Sequence, residues 1–219
     1  MSFFNDRTDA GKILSERLSE YANREDVLIL ALPRGGVPVA FEVAKELNLK
    51  MDIFIVRKLG VPGNEELAMG AIASGNIRVL NEDVIRSFRI PQKAIDEATA
   101  NELEELERRE RIYRKNRPVP KISGSTVILI DDGLATGATM RAAVAAVKTK
   151  NPAKVIIAVP VAAPDTCSDF GSEVDEVMCV ATPEPFYGVG AWYEDFSQTT
   201  DKEVCDLLDK ATKIKPESR

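Results

Sequence analysis

Two adjacent carboxylates, Asp131 and Asp132, stand where an apolar stretch meets a turn rich in glycine and threonine. The apolar stretch, residues 127–130, is typical of a buried parallel strand, and a helical pattern begins after the turn. Open α/β sheets bind their ligands at the carboxyl ends of the strands. The N–H groups of a helix N-terminus favour phosphate, whereas carboxylates repel phosphate and suit sugar hydroxyls or a cation. The sequence therefore predicts a sugar-phosphate site, with the phosphate on residues 134–139.

A plainer interpretation of the same residues is an ordinary strand-to-helix turn, with glycine at the corner and Thr139 as the helix cap. That interpretation does not require two carboxylates at the strand end, so we favour the sugar-phosphate site. A P-loop is excluded because no Gly-Lys-Ser/Thr follows the turn, and the glycine spacing does not fit a dinucleotide fingerprint.

The motif resembles the 5-phosphoribosyl 1-pyrophosphate (PRPP) binding motif of the type I phosphoribosyltransferases. The match comprises the apolar run, Asp-Asp-Gly, Ala-Thr-Gly and the final Thr. The resemblance implies that Asp131 and Asp132 hold the ribose hydroxyls and contact Mg²⁺ through water, and that the following loop holds the 5′-phosphate. The residues implied for ribose and 5′-phosphate are Asp131, Asp132, Gly133, Leu134, Ala135, Thr136, Gly137, Ala138 and Thr139. More narrowly, the chain is similar to a bacterial and archaeal group of phosphoribosyltransferases whose base is unassigned.

Two basic clusters follow other strands. A turn containing Arg34, Gly35 and Gly36 offers successive N–H groups and a guanidinium, which suit a diphosphate. By resemblance, this turn holds the pyrophosphate and the Arg34–Gly35 bond is cis. Arg57 and Lys58 precede a glycine-rich loop, and the resemblance implies that they contact the pyrophosphate and take part in catalysis with the acidic pair, beneath a mobile loop. The alternatives are a helix-entry turn with Arg34 on the surface, and two solvated cations.

Residues 186–196 hold five aromatic side chains in a chain that is 6% aromatic. Aromatic faces suit stacking on a planar base. The resemblance implies a variable hood that recognises the base, and Phe186, Trp192 and Tyr193 are the candidates. The alternative, which we weigh equally, is that these rings fill a satellite core beneath a long loop.

The composition narrows the class of protein. The chain has 219 residues, of which 44% are hydrophobic, and a net charge of −6. This charge disfavours a nucleic-acid partner bound through a broad basic surface, and no apolar run has the length of a membrane span. The sequence contains no histidine, which excludes histidine acid–base catalysis, a Ser-His-Asp triad and histidine-ligated zinc.

Three cysteines, Cys167, Cys179 and Cys205, show neither metal-binding spacing nor a Cys-x-x-Cys pair. Cys179 lies in an apolar run and is expected to be a small buried hydrophobe. An odd number of cysteines without a disulfide framework suits a reducing cytosol. Since the N-terminus also lacks a signal-peptide pattern, the sequence predicts a cytoplasmic protein.

Strand-like and helical stretches alternate along the chain. This alternation predicts right-handed crossovers and an α/β fold, in which a central, mostly parallel sheet is flanked by helices. The carboxyl ends of parallel strands share one edge of a sheet. The turns 33–36, 57–60 and 131–139 are therefore expected to meet there and to form one composite site.

The whole chain, 1–219, is expected to form a single domain with two additions. Residues 82–118 predict a helical insertion, with a short helix, a break at Pro91 and a long helix to about Arg114. This insertion is expected to pack on the core or to form a homodimer contact. Residues 183–219 contain the aromatic loop and a final helix, which are the expected C-terminal hood.

The resemblance implies a Mg²⁺-dependent enzyme that transfers the phosphoribosyl group of PRPP to a nitrogenous base or another amine and releases pyrophosphate. One departure concerns Ala135, which stands where the hypoxanthine-guanine branch has an acidic residue. Since the chain also lacks histidine, the residue that transfers a proton is unidentified. The alternative function is a non-catalytic PRPP- or nucleotide-binding regulator.

Overall fold

The computed structural model describes residues 3–115 and 117–214. The predicted segments 1–219, 82–118 and 183–219 therefore include residues 1–2, 116 and 215–219, which lie outside the described part. The strands of the described residues are β1 Val27–Ala31, β2 Lys50–Ile53, β3 Val56–Val61, β4 Asn64–Ala73, β5 Ile77–Leu80, β6 Thr126–Ile130, β7 Lys154–Val161 and β8 Glu176–Ala181. The α-helices are α1 Arg7–Arg17, α2 Gly36–Leu47, α3 Glu82–Ser87, α4 Gln92–Arg114, α5 Ala138–Lys148, α6 Pro164–Asp169 and α7 Asp201–Ala211.

The central sheet has five parallel strands in the order β2-β1-β6-β7-β8. Its inner strands are apolar on both faces because helices cover both. Ile29 and Ile128 face a core shared with α1, α2 and α7, whereas their neighbours Leu30 and Leu129 face a core shared with α5. Each such fully buried side chain contributes about 1.5–3 kcal/mol of burial free energy. The predicted α/β fold is thereby confirmed.

A second, antiparallel sheet has the strand order β3-β4-β5. Gly63, with φ +80°, turns the chain between β3 and β4. Arg57 and Lys58 therefore lie within β3, and the prediction that they follow a strand of the parallel sheet was wrong. The error arose because residues 56–61 continue directly from the preceding apolar stretch, and only long-range pairing with β4 separates the two strands. Strands β4 and β5 form a second antiparallel pair.

The helices predicted after residue 82 are present, with α3 and α4 separated at Pro91. The long helix α4 buries Ile95, Leu106 and Tyr113 in the core that contains α7 and the second sheet. Its other residues are largely charged, which fits a helix with one solvated face. That the segment is an insertion or a homodimer contact stays a prediction.

The cysteines differ from expectation. Cys167 in α6 and Cys179 in β8 form a disulfide with a Cα–Cα distance of 6.7 Å, whereas Cys205 is free and buried. The prediction that Cys179 is a small buried hydrophobe was wrong, because this residue is half-buried and disulfide-bonded. The spacing of 12 residues matches no sequence framework, and the packing of α6 beside β8 brings the two thiols together. In the described residues, no helix combines the length and the apolar character needed to cross a bilayer.

Candidate active site

The acidic pair lies at the carboxyl end of β6, immediately after Ile130. The turn that follows leads into α5, whose N-cap residue is Gly137 with φ +69°. The alternative of a cap at Thr139 was therefore wrong. A Cβ at Gly137 would lie 2.7 Å from the Phe170 ring, so glycine is required both for the left-handed backbone and for the close approach of this ring. The turn is therefore a tightly specified strand-to-helix connection.

The signature residues differ in accessibility. Ala135, Thr136 and Thr139 are exposed, Gly133 and Ala138 are half-buried, and Leu134 and Gly137 are buried. Leu134 is only 2% exposed and forms a backbone bridge with Ala162, so its side chain belongs to the core. The loop thus presents two threonine hydroxyls and backbone groups to solvent at the start of a helix, where a phosphate is favoured.

A second glycine-containing turn lies against the acidic pair. A Cβ on Gly35 would lie 1.9 Å from Asp132 Oδ2, and one on Gly36 would lie 2.6 Å from the Ile130 carbonyl oxygen. Side chains at these positions would therefore collide with β6 and with the carboxylate. The contact brings together the two clusters that the sequence analysis assigned to ribose and pyrophosphate. The peptide bond between Pro33 and Arg34 is cis, so the prediction of a cis bond at Arg34–Gly35 was wrong by one residue.

Both carboxyl groups of the acidic pair have raised pKa values. Burial, followed by the charge of Asp132, raises the pKa of Asp131 well above its usual value. Burial also raises the pKa of Asp132, although the Arg7 guanidinium opposes the shift. Arg7 contacts Asp132 Oδ2 through Nε at 2.9 Å and Nη2 at 2.8 Å. Two neighbouring carboxylates in a partly buried site favour a ligand that donates hydrogen bonds or carries positive charge.

The two arginines predicted to bind pyrophosphate also have acidic partners. Arg57 Nε lies 2.5 Å from Glu102 Oε2 on α4. Arg34 Nη1 lies 3.6 Å from Asp201 at the start of α7, and Asp201 accepts a hydrogen bond of 2.6 Å from the Tyr113 hydroxyl. These partners are far away in sequence and follow no motif, so no sequence signal identifies Arg7, Glu102 and Asp201 as neighbours of the site.

A cavity of about 610 Å³ lies between the β3–β4 hairpin, α4 and the start of α5. Its walls include Arg57 and Lys58 from β3, Glu102 from α4 and Thr139 from the signature. The structure therefore brings the basic pair next to the signature loop, although the pair belongs to the second sheet. A polyanion in this cavity would meet cations on one wall and a hydroxyl on another.

Comparison with known proteins decides the family. A family model described as the phosphoribosyl transferase domain matches residues 6–179. This chain belongs to the phosphoribosyltransferase family. The match contains the acidic pair, both glycine-containing turns and the hairpin, and it confirms the resemblance found from the signature.

Relatives of this chain are found in Mycobacterium tuberculosis. "Putative phosphoribosyl transferase Rv0571c" of Mycobacterium tuberculosis (strain ATCC 25618 / H37Rv) is 45% identical over 211 residues, which cover 96% of this chain and 47% of the relative. The chain therefore spans about half the length of the curated relatives it matches.

Solved structures share the fold of this chain. The crystal structure of TT1426 from Thermus thermophilus is 40% identical, with a TM-score of 0.87, and the match covers 96% of this chain and 99% of TT1426. The AQ2163 protein from Aquifex aeolicus shares the fold alone, at 15% identity and a TM-score of 0.50, over 92% of this chain and 84% of AQ2163.

The aromatic segment, residues 186–196, packs on Phe3 and Phe4. The Trp192 ring stacks on Phe3 with centroids 5.2 Å apart, and Tyr193 contacts Phe4 and Phe196 at 5.3 and 5.0 Å. Tyr193 is only 5% exposed, and its hydroxyl donates a 2.6 Å hydrogen bond to the Asp132 carbonyl oxygen. Tyr193 therefore belongs to a satellite core that supports the acidic pair. Phe186 is half-buried beside this core.

The acidic pair also fits the Mg²⁺ expected of a phosphoribosyltransferase. Within residues 3–115 and 117–214, no group of three or more Asp, Glu, Cys or His side chains could hold a metal ion. Mg²⁺ commonly keeps several waters and takes one or two carboxylates together with substrate phosphates. Asp131 and Asp132 therefore suit indirect contact with an ion that the substrate carries.

Proposed function

We propose that this chain is a Mg²⁺-dependent phosphoribosyltransferase. It transfers the 5-phosphoribosyl group of PRPP to a nitrogenous base or another amine. The acceptor nitrogen forms a bond to C1 of the ribose, the C1–O bond breaks, and its electron pair leaves with pyrophosphate. The transition state resembles an oxocarbenium ion, and catalysis depends on positioning the reactants and stabilising the leaving group.

The contact between the 34–36 turn and the acidic pair carries this proposal. In PRPP the pyrophosphate is attached to C1, and the nearest hydroxyl is on the adjacent carbon. A PRPP site must therefore hold a pyrophosphate and a diol within a few ångströms of each other. The Gly35 backbone lies so close to Asp132 that a Cβ at residue 35 would collide with the carboxylate. The two turns therefore meet this requirement.

The ribose and its 5′-phosphate are assigned to the signature. Asp131 and Asp132 accept hydrogen bonds from the two ribose hydroxyls. An ionised carboxylate can only accept, so the ligand must supply the donors. The exposed Thr136 and Thr139 hydroxyls and the N–H groups of the loop hold the phosphate at the start of α5. Leu134 contributes its backbone only, because its side chain is buried.

The pyrophosphate is assigned to both basic clusters. Arg34 and the N–H groups of Gly35 and Gly36 bind it from one side, and Arg57 and Lys58 bind it from the hairpin. The cavity that contains both Arg57 and Thr139 supports this assignment. Closure of the hairpin over the reactants would exclude water, which competes with the acceptor as a nucleophile.

Mg²⁺ is expected to reach the site with the substrate, near Asp131 and Asp132. When bound, the ion neutralises charge on the departing pyrophosphate. The protein contributes the hydrogen bonds that orient the ribose and the cations that receive the leaving group. The acceptor is assigned to the side of the site that holds Phe186 and Trp192, while Tyr193 acts through its hydrogen bond to Asp132.

Binding and turnover test this proposal separately. Calorimetric titration of the protein with PRPP and Mg²⁺ is followed by a pyrophosphate-release assay with a panel of purines, pyrimidines and ammonia. Release with any acceptor is the expected result. Asp131→Asn combined with Asp132→Asn should abolish PRPP binding, while the exposed control Asp26→Asn should leave it unchanged.

Two outcomes would contradict the proposal. Failure of the wild-type protein to bind PRPP would remove the site assignment. Tight PRPP binding without turnover across the panel would instead favour a non-catalytic regulator.

A further inference from the structure

Arg7, at the start of α1, contacts Asp132 of the acidic pair together with Ser197 and Phe196. Its Nε and Nη2 donate to the same oxygen of Asp132, Oδ2, at 2.9 and 2.8 Å. Its Nη1 donates to the Ser197 carbonyl oxygen at 2.7 Å, and its guanidinium carbon lies 4.0 Å from the centroid of the Phe196 ring. The Arg7 side chain is only 12% exposed. Such a fully engaged guanidinium is a fixed structural element and not a mobile surface charge.

We infer that Arg7 is a positioning residue for PRPP binding, which it promotes by fixing the carboxylate of Asp132. The inference rests on the proposed function, in which Asp132 binds a ribose hydroxyl. Both arginine nitrogens bind Oδ2, and we assign the ribose hydroxyl to the other carboxylate oxygen, Oδ1. The guanidinium also offsets the cost of keeping a carboxylate charged next to Asp131 in a partly buried site.

The surroundings of Arg7 favour positioning over competition with the substrate. A competing cation would need to leave Asp132 when the ribose arrives, yet Arg7 is anchored by Ser197 and Phe196 as well. Displacing it would break three sets of contacts at once. A hydroxyl that binds Oδ1 requires no such rearrangement.

Arg7 also ties the chain's N-terminal segment to the site. The Phe3 and Phe4 N–H groups both donate to the Trp192 carbonyl oxygen, at 2.9 and 3.1 Å, and Glu194 N–H donates to the Phe4 carbonyl oxygen at 2.9 Å. Residues 3–7 and 192–197 therefore form one packed unit above the acidic pair. The orientation of Asp132 depends on this unit, which lies outside the signature motif.

Arginine geometry is essential to this role, so the test compares Arg7→Gln with Arg7→Lys. A lysine ammonium retains the charge but is a point donor that cannot hold Oδ2 and the Ser197 carbonyl in one plane. Calorimetric titrations with Mg²⁺ present use three probes: PRPP, ribose 5-phosphate and pyrophosphate. We expect Arg7→Gln to weaken PRPP and ribose 5-phosphate binding by about 10- to 100-fold. Arg7→Lys should weaken the binding of both ligands by a smaller factor. Pyrophosphate binding should change less than about twofold, because the contacts described for Arg7 are with Asp132, Ser197 and Phe196.

The matched control is Arg24→Gln. Arg24 also pairs with an aspartate, Asp26, and also lies over an aromatic ring, that of Tyr21, but it is remote from the site. Its replacement should leave all three affinities unchanged. Thermal melting of each variant checks the fold, and Arg7→Lys carries the comparison if Arg7→Gln does not fold.

A double-mutant cycle isolates the route through Asp132. If Arg7 acts through this carboxylate, Arg7→Gln should cause little further loss of ribose 5-phosphate binding in an Asp132→Asn background. Additive losses would overturn the inference, as would unchanged or tighter PRPP binding by Arg7→Gln, or an equal loss of pyrophosphate binding. Failure of the wild-type protein to bind PRPP would overturn the proposed function and this inference together. If the wild type binds PRPP and Arg7→Gln binds it with the same affinity, only the role of Arg7 is overturned.

Discussion

The carboxylate of Asp132 lies against the backbone of Gly35, so closely that a Cβ on Gly35 would come within 1.9 Å of Asp132 Oδ2. These residues belong to separate turns that follow two adjacent strands, β1 and β6. A single methyl group at residue 35 would therefore push the carboxylate away. The absence of a side chain at Gly35 lets the two turns act as one site.

Gly35→Ala should therefore abolish PRPP binding. The new methyl group displaces the Asp132 carboxylate and strains its contacts with Arg7, at an expected cost of about 1–3 kcal/mol in the free energy of unfolding. Calorimetry and urea denaturation measure the two effects. Gly171→Ala is the matched control, because a Cβ there meets no atom within 4 Å. Normal PRPP affinity in Gly35→Ala would contradict the juxtaposition of the turns.

Asp131→Asn should stabilise the ligand-free protein at neutral pH. The pKa of Asp131 is raised in the folded protein by burial and by the charge of Asp132. The folded state therefore holds this proton more tightly than the unfolded chain does. Below about pH 4, protonated Asp131 makes its full contribution to the free energy of unfolding. This contribution is lost as the pH rises through the raised pKa. Asparagine keeps an oxygen to accept the 2.8 Å hydrogen bond from Asp132 N–H but carries no charge.

Urea denaturation of the wild type and Asp131→Asn between pH 4 and 8 checks this prediction. The gain at neutral pH should be about 0.5–2 kcal/mol, the range of common stabilising substitutions, and the difference should shrink toward acid pH. A variant less stable than the wild type at pH 7 would show that Asp131 is not a strained charge.

Arg57→Gln and Glu102→Gln should change pyrophosphate binding in opposite directions. The Arg57–Glu102 ion pair joins the hairpin to α4, and both side chains are 30% exposed. Removing the guanidinium should weaken pyrophosphate binding about tenfold. Removing the carboxylate frees Arg57 from its competitor and should strengthen binding by about two- to fivefold.

Isothermal titration with pyrophosphate and Mg²⁺ measures both variants. Glu104→Gln, an exposed change on the same helix, is the control and should have no effect. Weaker binding in both variants would instead mean that the ion pair is needed to hold the hairpin in place.

Tyr113→Phe should lower the free energy of unfolding by about 1–2 kcal/mol. Its buried hydroxyl donates a 2.6 Å hydrogen bond to Asp201, which also faces Arg34. The substitution removes one hydroxyl and leaves the aromatic packing intact. Tyr187→Phe is the control, because Tyr187 is 76% exposed. Equal stability of the two variants in urea would contradict a structural role for this hydrogen bond.

Local sequence patterns were sufficient to predict most of the secondary structure and the parallel sheet. The apolar runs at β1, β6 and β7 and the turns that punctuate them predicted the parallel sheet, because two-sided burial requires uniformly apolar strands. Pro91 predicted the break between α3 and α4, since proline disfavours helical backbone in the residue before it. The signature at Asp131 and Asp132 predicted the family, because its chemistry lies within one contiguous stretch.

Only the tertiary structure decided how that chemistry is supported. Arg57 lies in a separate antiparallel sheet, because strand pairing and not strand composition sets which sheet a segment joins. The Cys167–Cys179 disulfide depends on the packing of α6 beside β8. The contacts of Arg7 with Asp132, and of Asp201 with Arg34, join residues far apart in the chain. A sequence records the residue types of such pairs, but their distances exist only once the chain has folded.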